Sequence, residues 1–389
     1  MTKKWSSRLT FFAFVVLMVG LGSNDSLRGI FSTIFQEHFS LTTTQLGLIV
    51  TASYIGNLVF LLVGGNLSTR FSKKRVLQVL ILIWMAALAL FAFTSNYTVL
   101  LIGMALALGS STLLNTTMNL ITPLLFAIAP GFFVNFLFFT QEIGTSGSQY
   151  ILGSHADGFA FWQHTNLVLL ILGAVAFVLL LFCNVPEEAA APADAPAQKG
   201  GYDWRIIVPY VLVFGFYFIA EHGVMNWMVA YGVDGLGLPQ ASAAKYLSVF
   251  FGGMMIGRLC LSPLVDKLGA LKSLAAFGGV SCVLYLIGSL GGAVTMPVWA
   301  ISGLSFSILY PTLVMSIRLY FPAQQVSGAA GTILSIASLA DILFNVGFGK
   351  LVDMTGYAVS IRVLPLSALA FFIVFILFTK FCKPTQKLK

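Results

Sequence analysis

Charge is what this sequence has least of. Only 9% of its 389 residues are Asp, Glu, Lys or Arg, against 58% hydrophobic residues, and the mean hydropathy is +0.94. That leaves too little polar surface to cover a water-soluble globule, so the composition excludes one and implies an integral membrane protein. Cysteine is scarce too. Cys183, Cys260, Cys282 and Cys382 fall in or at the ends of apolar runs without metal-ligand spacing, which argues for free, packed thiols and against a disulfide or zinc framework. No G-x-x-x-x-G-K-[ST] loop is present to cradle a phosphate, and no Ser/His/Asp or Cys/His constellation can be assigned from spacing. Nucleotide hydrolysis is therefore excluded as an energy source, and neither an enzyme, a cofactor nor a metal site is expected.

What the chain has in abundance is apolar runs. Crossing about 30 Å of hydrocarbon takes about 20 helical residues, and such runs lie near 9–35, 45–66, 76–94, 98–120, 133–153, 165–184, 206–232, 241–263, 273–294, 296–318, 328–350 and 361–382. They predict an all-α membrane protein with twelve transmembrane helices; the lengths do not suit the short alternating strands of a barrel. The first run is too long for a removable signal peptide and lacks a small-residue cleavage site. Lys3, Lys4, Arg8, Arg70, Lys73, Lys74, Arg75, Lys199, Arg205, Lys267, Lys272, Arg318, Lys380, Lys383, Lys387 and Lys389 collect on one side of this arrangement, and only Lys245, Lys350 and Arg362 on the other. Because basic loops stay in the cytoplasm, both termini are expected there. The formal net charge of +8 reads as a topology signal rather than a nucleic-acid footprint.

One stretch interrupts the apolar rhythm for longer than a turn: VPEEAAAPADAPAQKGGYDW, residues 185–204. Its Ala, Pro and charge mark a cytoplasmic linker between an N-terminal six-helix bundle, 1–184, and a C-terminal one, 205–389. The halves resemble each other at an offset of 197, which lays GSNDSLRGIFSTIFQEHFSLT over IAEHGVMNWMVAYGVDGLGLP without a gap. Asn24 then meets Glu221, Asp25 meets His222, Glu37 meets Asp234 and Leu41 meets Leu238. The offset persists through the second helix, where Gly56 meets Gly253, and into the loop beyond, where GNLSTRFSKK lies over SPLVDKLGAL. Repeated halves are the architecture of alternating-access transporters.

That loop carries a family resemblance. Pro263, Leu264, Asp266, Lys267 and Gly269, with Gly65, Leu67, Arg70, Lys73 and Lys74 in the first half, resemble the G-x-L-x-D-[RK]-x-G-[RK]-[RK] signature of the major facilitator superfamily. The resemblance implies that family's fold of two pseudo-symmetric six-helix bundles, and a cytoplasmic gate formed by Gly65, Arg70, Asp266, Lys267 and Gly269. An Asp at a helix end can pair with a helix N-terminus or an Arg. The first copy departs from the pattern at Thr69 and Ser72. The segments NDSLRGIF…EHFSLTTTQLGLI, FYFIAEHGVMNW, GGMMIGRL and SILYPTLVMSI further resemble the fucose/galactose/glucose–proton symporter branch.

A charge near the bilayer centre costs about 2.5–3.5 kcal/mol on insertion scales, so intramembrane charges are candidates for function. Four acids qualify: Asp25, Glu142, Glu221 and Asp341. Asp25 and Arg28 share a helix face and read either as a local ion pair or, by the family's Asn24-Asp25 pattern, as a proton-coupling acid beside a guanidinium. Such a guanidinium can hold a carboxylate or phosphate bidentately. In LNTTMN, Asn115 stands where the branch carries a functional Glu, and Asn119 matches its Asn; a second titrating acid would then be Glu142, Glu221 or Asp341. Gln141 and Glu142 precede Gly144 and Gly147, read as packing contacts. Glu221, His222, Asn226 and Trp227 form a cluster, in which Trp227 is either an aromatic plate for substrate or an interfacial belt residue. Asp341 has no basic residue within one turn of sequence. Arg258, near a helix end, reads as snorkelling to the cytoplasm. Tyr310 and Pro311 resemble the branch's Y-P-T break, Pro311 permitting a kink.

These readings predict a secondary active transporter in the inner membrane of a bacterium, working as a monomer with the lipid bilayer, protons and a small-molecule substrate as its partners. The expected activity is proton-coupled symport of a small polar solute, sugar-like or a small organic anion. The alternative is a proton-driven antiporter exporting drugs, lipids or metabolites. The antiporter pattern G-x-x-x-G-P-x-x-G has no counterpart in QEIGTSGSQYILGS, where no Pro follows the glycines, which favours import. Reporters fused after Lys389 or inserted in the Ala/Pro linker should be active only as cytoplasmic fusions, and one inserted at Ala156 only as a periplasmic one. A periplasm-active fusion at Lys389 would overturn the twelve-helix topology.

Overall fold

The structure, a computed structural model, describes residues 3–126, 130–186 and 202–384, with the side chains at 3–6, 63–70, 130–132, 135, 266, 323, 324 and 327 outside that description. It separates into two compact units, Met1–Ala195 and Pro196–Lys389. In the first unit α1 (Lys3–Ile30) is followed by the short α2 (Ser32–His38), then α3 (Thr43–Arg70), α4 (Lys73–Phe93), α5 (Tyr97–Leu125), α6 (Pro130–Ile151) and α7 (Phe159–Phe182). In the second, α8 (Trp204–Ala230) runs into a π-turn at Tyr231–Gly235, and α9 (Gln240–Leu268) and α10 (Ala270–Leu290) follow. A segmented helix comes next, α11 (Met296–Ile301), α12 (Gly303–Phe306) and α13 (Leu309–Ser316), and then α14 (Ala323–Thr355), α15 (Tyr357–Ser360) and α16 (Val363–Phe381).

The protein is an all-helical membrane protein. Among the described residues eleven helices are long and apolar enough to span a bilayer. The remaining long helix, α6, has 22 residues but carries Thr140, Gln141, Glu142, Thr145 and Gln149 along one stretch, so its length suits a span while its composition suits a polar lining.

Within the first unit α3 packs along α5, α1 along α6 and α7, and α4 on α5 and α7; within the second, α8 packs along α14 and α16, and α9 on α12. Lipid tails are as apolar as Leu, so such contacts depend on close fit rather than on burial from water. Glycine supplies the fit. A side chain at Gly56 would collide with the Ala105 backbone of α5, and one at Gly22 or Gly144 with the facing backbone of α6 or α1. The repeat partner of Gly56, Gly253, likewise meets the backbone of Gly303 and Leu304. Of the two glycines expected to pack in α6, Gly144 does so, whereas a side chain at Gly147 would meet nothing within 4 Å.

The two copies of the signature loop solve one problem differently. Gly269 closes α9 and opens α10 at φ 80° and ψ 156°, a region essentially reserved for glycine, with its N–H on the Val265 carbonyl at 2.8 Å. Its repeat partner Ser72 sits at φ −58° and accepts a hydrogen bond on Oγ from the Arg75 N–H, an ordinary N-cap. Lys74 of that loop donates to the carbonyls of Leu181 and Cys183, at 3.0 and 2.7 Å, capping the end of α7 with a positive charge. Of the residues assigned to the gate, Gly65 and the side chains of Arg70 and Asp266 lie outside the described part of the structure; Lys267 is exposed. Of the cysteines, Cys183 and Cys282 are buried, but Cys260 is exposed and Cys382 half-exposed, so packing was expected for two more than have it.

The expected single helix at 296–318 is instead broken twice. Pro311 lies in the first turn of α13, where its missing N–H leaves no gap, and the break at Ser307–Ile308 falls where its ring would press on the carbonyl four residues back. A second break at Ser302 precedes Gly303, whose missing side chain lets the Phe250 carbonyl approach. Serine hydroxyls donate to backbone carbonyls beside both breaks: Ser302 to Trp299, Ser305 to Ser302 and Ser307 to Leu304, at 2.5–2.9 Å.

Gly56→Val should therefore cost about 1–3 kcal/mol by overpacking, seen as a lower thermal midpoint of the purified protein, whereas Gly147→Ala should be neutral or slightly stabilising. Equal effects at the two positions would refute the close-approach account.

Candidate functional site

Successive residues of a helix step about 100° around its axis, and α1 uses that to offer a different polar group to each neighbour. Ser23 turns to α6, its hydroxyl 3.3 Å from the Gly144 carbonyl, and Thr145 donates back to the Gly22 carbonyl at 3.2 Å. Asn24 turns to α4 and accepts from the Trp84 indole N–H at 3.2 Å. Asp25 turns to α5, where the Ser111 hydroxyl donates to its Oδ2 at 3.2 Å, while its Oδ1 is buried without a hydrogen-bond partner. Arg28 is 6% exposed, with the Tyr54 ring of α3 5.6 Å from its guanidinium carbon. Its charge also acts on Asp25.

The face of α5 that holds Ser111 continues at four-residue spacing through Asn115 and Asn119. The Asn119 side-chain amide donates to Asn115 Oδ1, and the Asn115 side-chain amide donates to Gln141 Oε1 of α6, both at 2.6 Å. Asn119 Oδ1 is buried and unpartnered. Asp25, Ser111, Asn115, Asn119 and Gln141 therefore form one polar stripe across α1, α5 and α6, of the kind that pairs with hydroxyls: amides offer a donor and an acceptor side by side. Glu142 is half-buried on α6.

The second unit holds a separate cluster. His222 Nδ1 lies 2.7 Å from Asp341 Oδ2, joining α8 to α14. One turn further on, the Trp227 indole donates to Asn345 Oδ1 at 2.8 Å, and Asn345 Nδ2 donates to the Asp341 carbonyl at 2.8 Å. Phe218 lies flat on His222, ring centroids 5.3 Å apart. Glu221 faces another way: its charge acts on the phenols of Tyr217, Tyr285 and Tyr310, and the Arg258 charge acts on Tyr217 and Tyr310. A carboxylate and a guanidinium thus share one ring of tyrosines. Arg258 itself is half-buried.

Trp227 is fully buried, with Phe348 4.8 Å away, so it is neither an interfacial belt residue nor an open stacking plate. Its position near a helix end suggested both. Asn226 is also buried, 1% exposed, and Tyr310 is half-buried beside Tyr217 at 6.0 Å. Sequence reasoning missed Ser111, Tyr54 and Asn345. Ser111 precedes Asn115 by four residues and Asn345 follows Asp341 by four, and that spacing is the signal that would have found them. Among the described residues no group of three or more His, Cys, Asp or Glu side chains comes together as a metal site.

A family model described as Major Facilitator Superfamily matches residues 10–343. The chain is 24% identical over 333 residues to the L-fucose-proton symporter of Escherichia coli (strain K12), covering 74% of this chain and 75% of that one. It is 27% identical over 344 residues to the glucose/galactose transporter of Brucella abortus biovar 1 (strain 9-941), covering 82% and 81%. The solved D-xylose-proton symporter matches with a TM-score of 0.78 at 15% identity, over 99% of each chain, a likeness of fold.

The Asn24–Trp84 bond reads as support for α1 rather than as part of the stripe. Asn24→Ala should strand the buried indole N–H and lower stability by about 1–3 kcal/mol. Adding Trp84→Phe, which removes the donor, should recover part of that loss in thermal unfolding. Additive losses in the double variant would break the assignment.

Proposed function

This chain belongs to the Major Facilitator Superfamily and is a multi-pass secondary transporter, and from that premise we propose that it imports a small polar solute with protons by alternating access. The solute is sugar-like or a small organic anion. The setting is the inner membrane of a bacterium, with both termini cytoplasmic and the monomer as the working unit. The two relatives above, by their names a fucose–proton symporter and a glucose/galactose transporter, support the sugar-like class.

The observation that carries the reading is Asp25 itself. One carboxylate oxygen takes the Ser111 hydroxyl and the other is buried without a partner. An ionised carboxylate only accepts hydrogen bonds, whereas a protonated one also donates. Asp25 thus changes its bonding with its proton, at the head of a stripe of amides suited to hydroxyls. Arg28 responds to the same event: with Asp25 ionised, the guanidinium feels a neighbouring negative charge, and with Asp25 protonated that attraction is gone and an anionic or hydroxyl group of the substrate can take its place. Occupancy by proton and by solute are thereby linked, which is what coupling requires.

In proteoliposomes supplied with radiolabelled L-fucose, D-galactose or D-glucuronate, Asp25→Asn should abolish uphill accumulation driven by a pH gradient while leaving counterflow exchange measurable. Arg28→Ala should weaken exchange itself, by about tenfold or more for the acid if a charge-assisted bond of about 1.5–3 kcal/mol is lost. Uphill accumulation by Asp25→Asn equal to the parent's would overturn Asp25 as the coupling acid. Proton-driven efflux in place of uptake would favour the exporter.

A further inference from the structure

We infer that His222 and Asp341 form a second proton-binding site, within the C-terminal unit, whose occupancy sets how α8 is held to α14. The inference rests on the proton-coupled reading above and deepens it by adding a site that Asp25 does not touch.

Geometry carries it. Asp341's side chain is 2% exposed; its Oδ2 is 2.7 Å from His222 Nδ1, and its Oδ1 is buried without a hydrogen-bond partner. A carboxylate in that position, if ionised, holds a negative charge away from water with one oxygen bare, and the imidazolium beside it is the compensating charge. A neutral imidazole facing a protonated acid needs no such compensation. One proton more gives an imidazolium facing a neutral acid, one fewer a neutral imidazole facing a carboxylate, and the attraction across the contact differs in each state.

The surroundings favour exchange of that proton through the imidazole. His222 is 23% exposed against 2% for Asp341. Phe218 lies against the ring at an interplanar angle of 7°, which fixes the plane of the imidazole. The next rung, Trp227 to Asn345, ties the same two helices with groups that do not titrate near neutral pH. The helix pair is thus joined by one rung that depends on protons and one that does not.

The other charged and titratable groups on the elements packed against α8 can be named. Arg205, Tyr210, Tyr217 and Glu221 lie on α8 itself, with Tyr231 and Asp234 in the π-turn that continues it. Arg258 lies on α9 with Lys245 and Lys267 toward its ends, Tyr285 on α10, Tyr310 on α13, Lys350 and Asp353 beyond Asn345 on α14, and Lys380 at the far end of α16. Glu221 and Arg258, opposite in sign, act on the same two phenols, Tyr217 and Tyr310.

The test uses the proton itself as probe and needs no transported solute. The full chain, with its four histidines labelled with carbon-13 in the ring, is titrated in lipid nanodiscs from about pH 5 to about pH 9. His222→Gln identifies the His222 signal by its loss. Asp341→Asn should move the His222 step by about one pH unit or more, while Asn345→Leu and Asp25→Asn should leave it in place. Counted potentiometrically over the same range, both His222→Gln and Asp341→Asn should change the number of protons bound, whereas Asn345→Leu should not. A His222 step that is the same in the parent and in Asp341→Asn overturns the inference. If Asp341→Asn does not fold, His222→Gln decides alone, and a proton count equal to the parent's overturns it. The outcome is separate from that of the transport test: uphill accumulation by Asp25→Asn would remove the earlier assignment and leave this titration unaltered, and an inert His222–Asp341 pair would leave the Asp25 assignment standing.

Discussion

At membrane depth a polar group has no water to fall back on, and the arrangement of both units follows from that. A carboxylate there must find its donors on neighbouring helices, and those donors must in turn be held. Asp25 is met by Ser111, which stands on the same face of α5 as Asn115 and Asn119, and that line ends on Gln141 of α6. Asp341 is met by His222, and the peptide carbonyl of Asp341 is met by the side chain one turn along, Asn345, which also fixes Trp227. In each unit four-residue spacing sets the acid beside a line of polar side chains. Such a stripe is tolerable in hydrocarbon where the acid alone is costly.

The internal repeat preserves packing and relocates charge. Gly56 and Gly253, equivalent under the 197-residue offset, both admit a neighbouring backbone. Ser72 and Gly269, also equivalent, both end one helix and start the next, the first by a hydroxyl cap and the second by a glycine-only backbone angle. Asp25 and His222 are equivalent as well, yet the acid sits on the first helix of the first unit, whereas in the second unit a base sits there and its acid comes from α14. The repeat has kept its contacts between backbones and changed the titratable groups set on them, which makes the two units chemically distinct inside one architecture.

Much of this was legible in the residues themselves. Length and hydropathy found the helices, because a run of apolar residues is a long and redundant signal. Asp25, Arg28 and Asp341 stood out because a charge in such a run is rare. Ser111 and Asn345 did not, since a serine or asparagine in a helix is common and only its neighbour across the interface gives it meaning. Trp227 was misread for a related reason: distance from a helix end says how near the headgroups a residue lies and nothing about an asparagine waiting on another helix. The break upstream of Pro311 follows from the ring's reach to the fourth carbonyl back. The break at Ser302 depends on the approach of the Phe250 carbonyl to Gly303, a tertiary contact with no trace in local sequence.

Those two breaks give the helix between α10 and α14 a mechanical character its neighbours lack. A continuous helix is a stiff rod, and turning one end turns the other. Here the α11 end is anchored: Trp299 is fully buried and packs on Tyr285, ring centroids 5.6 Å apart. The α13 end bears Tyr310 beside Tyr217. Between them, the breaks at Ser302 and at Ser307–Ile308 are flanked by serine hydroxyls that donate to backbone carbonyls. A helix interrupted in this way is less bound than a continuous rod to carry a turn at its Trp299 end through to Tyr310.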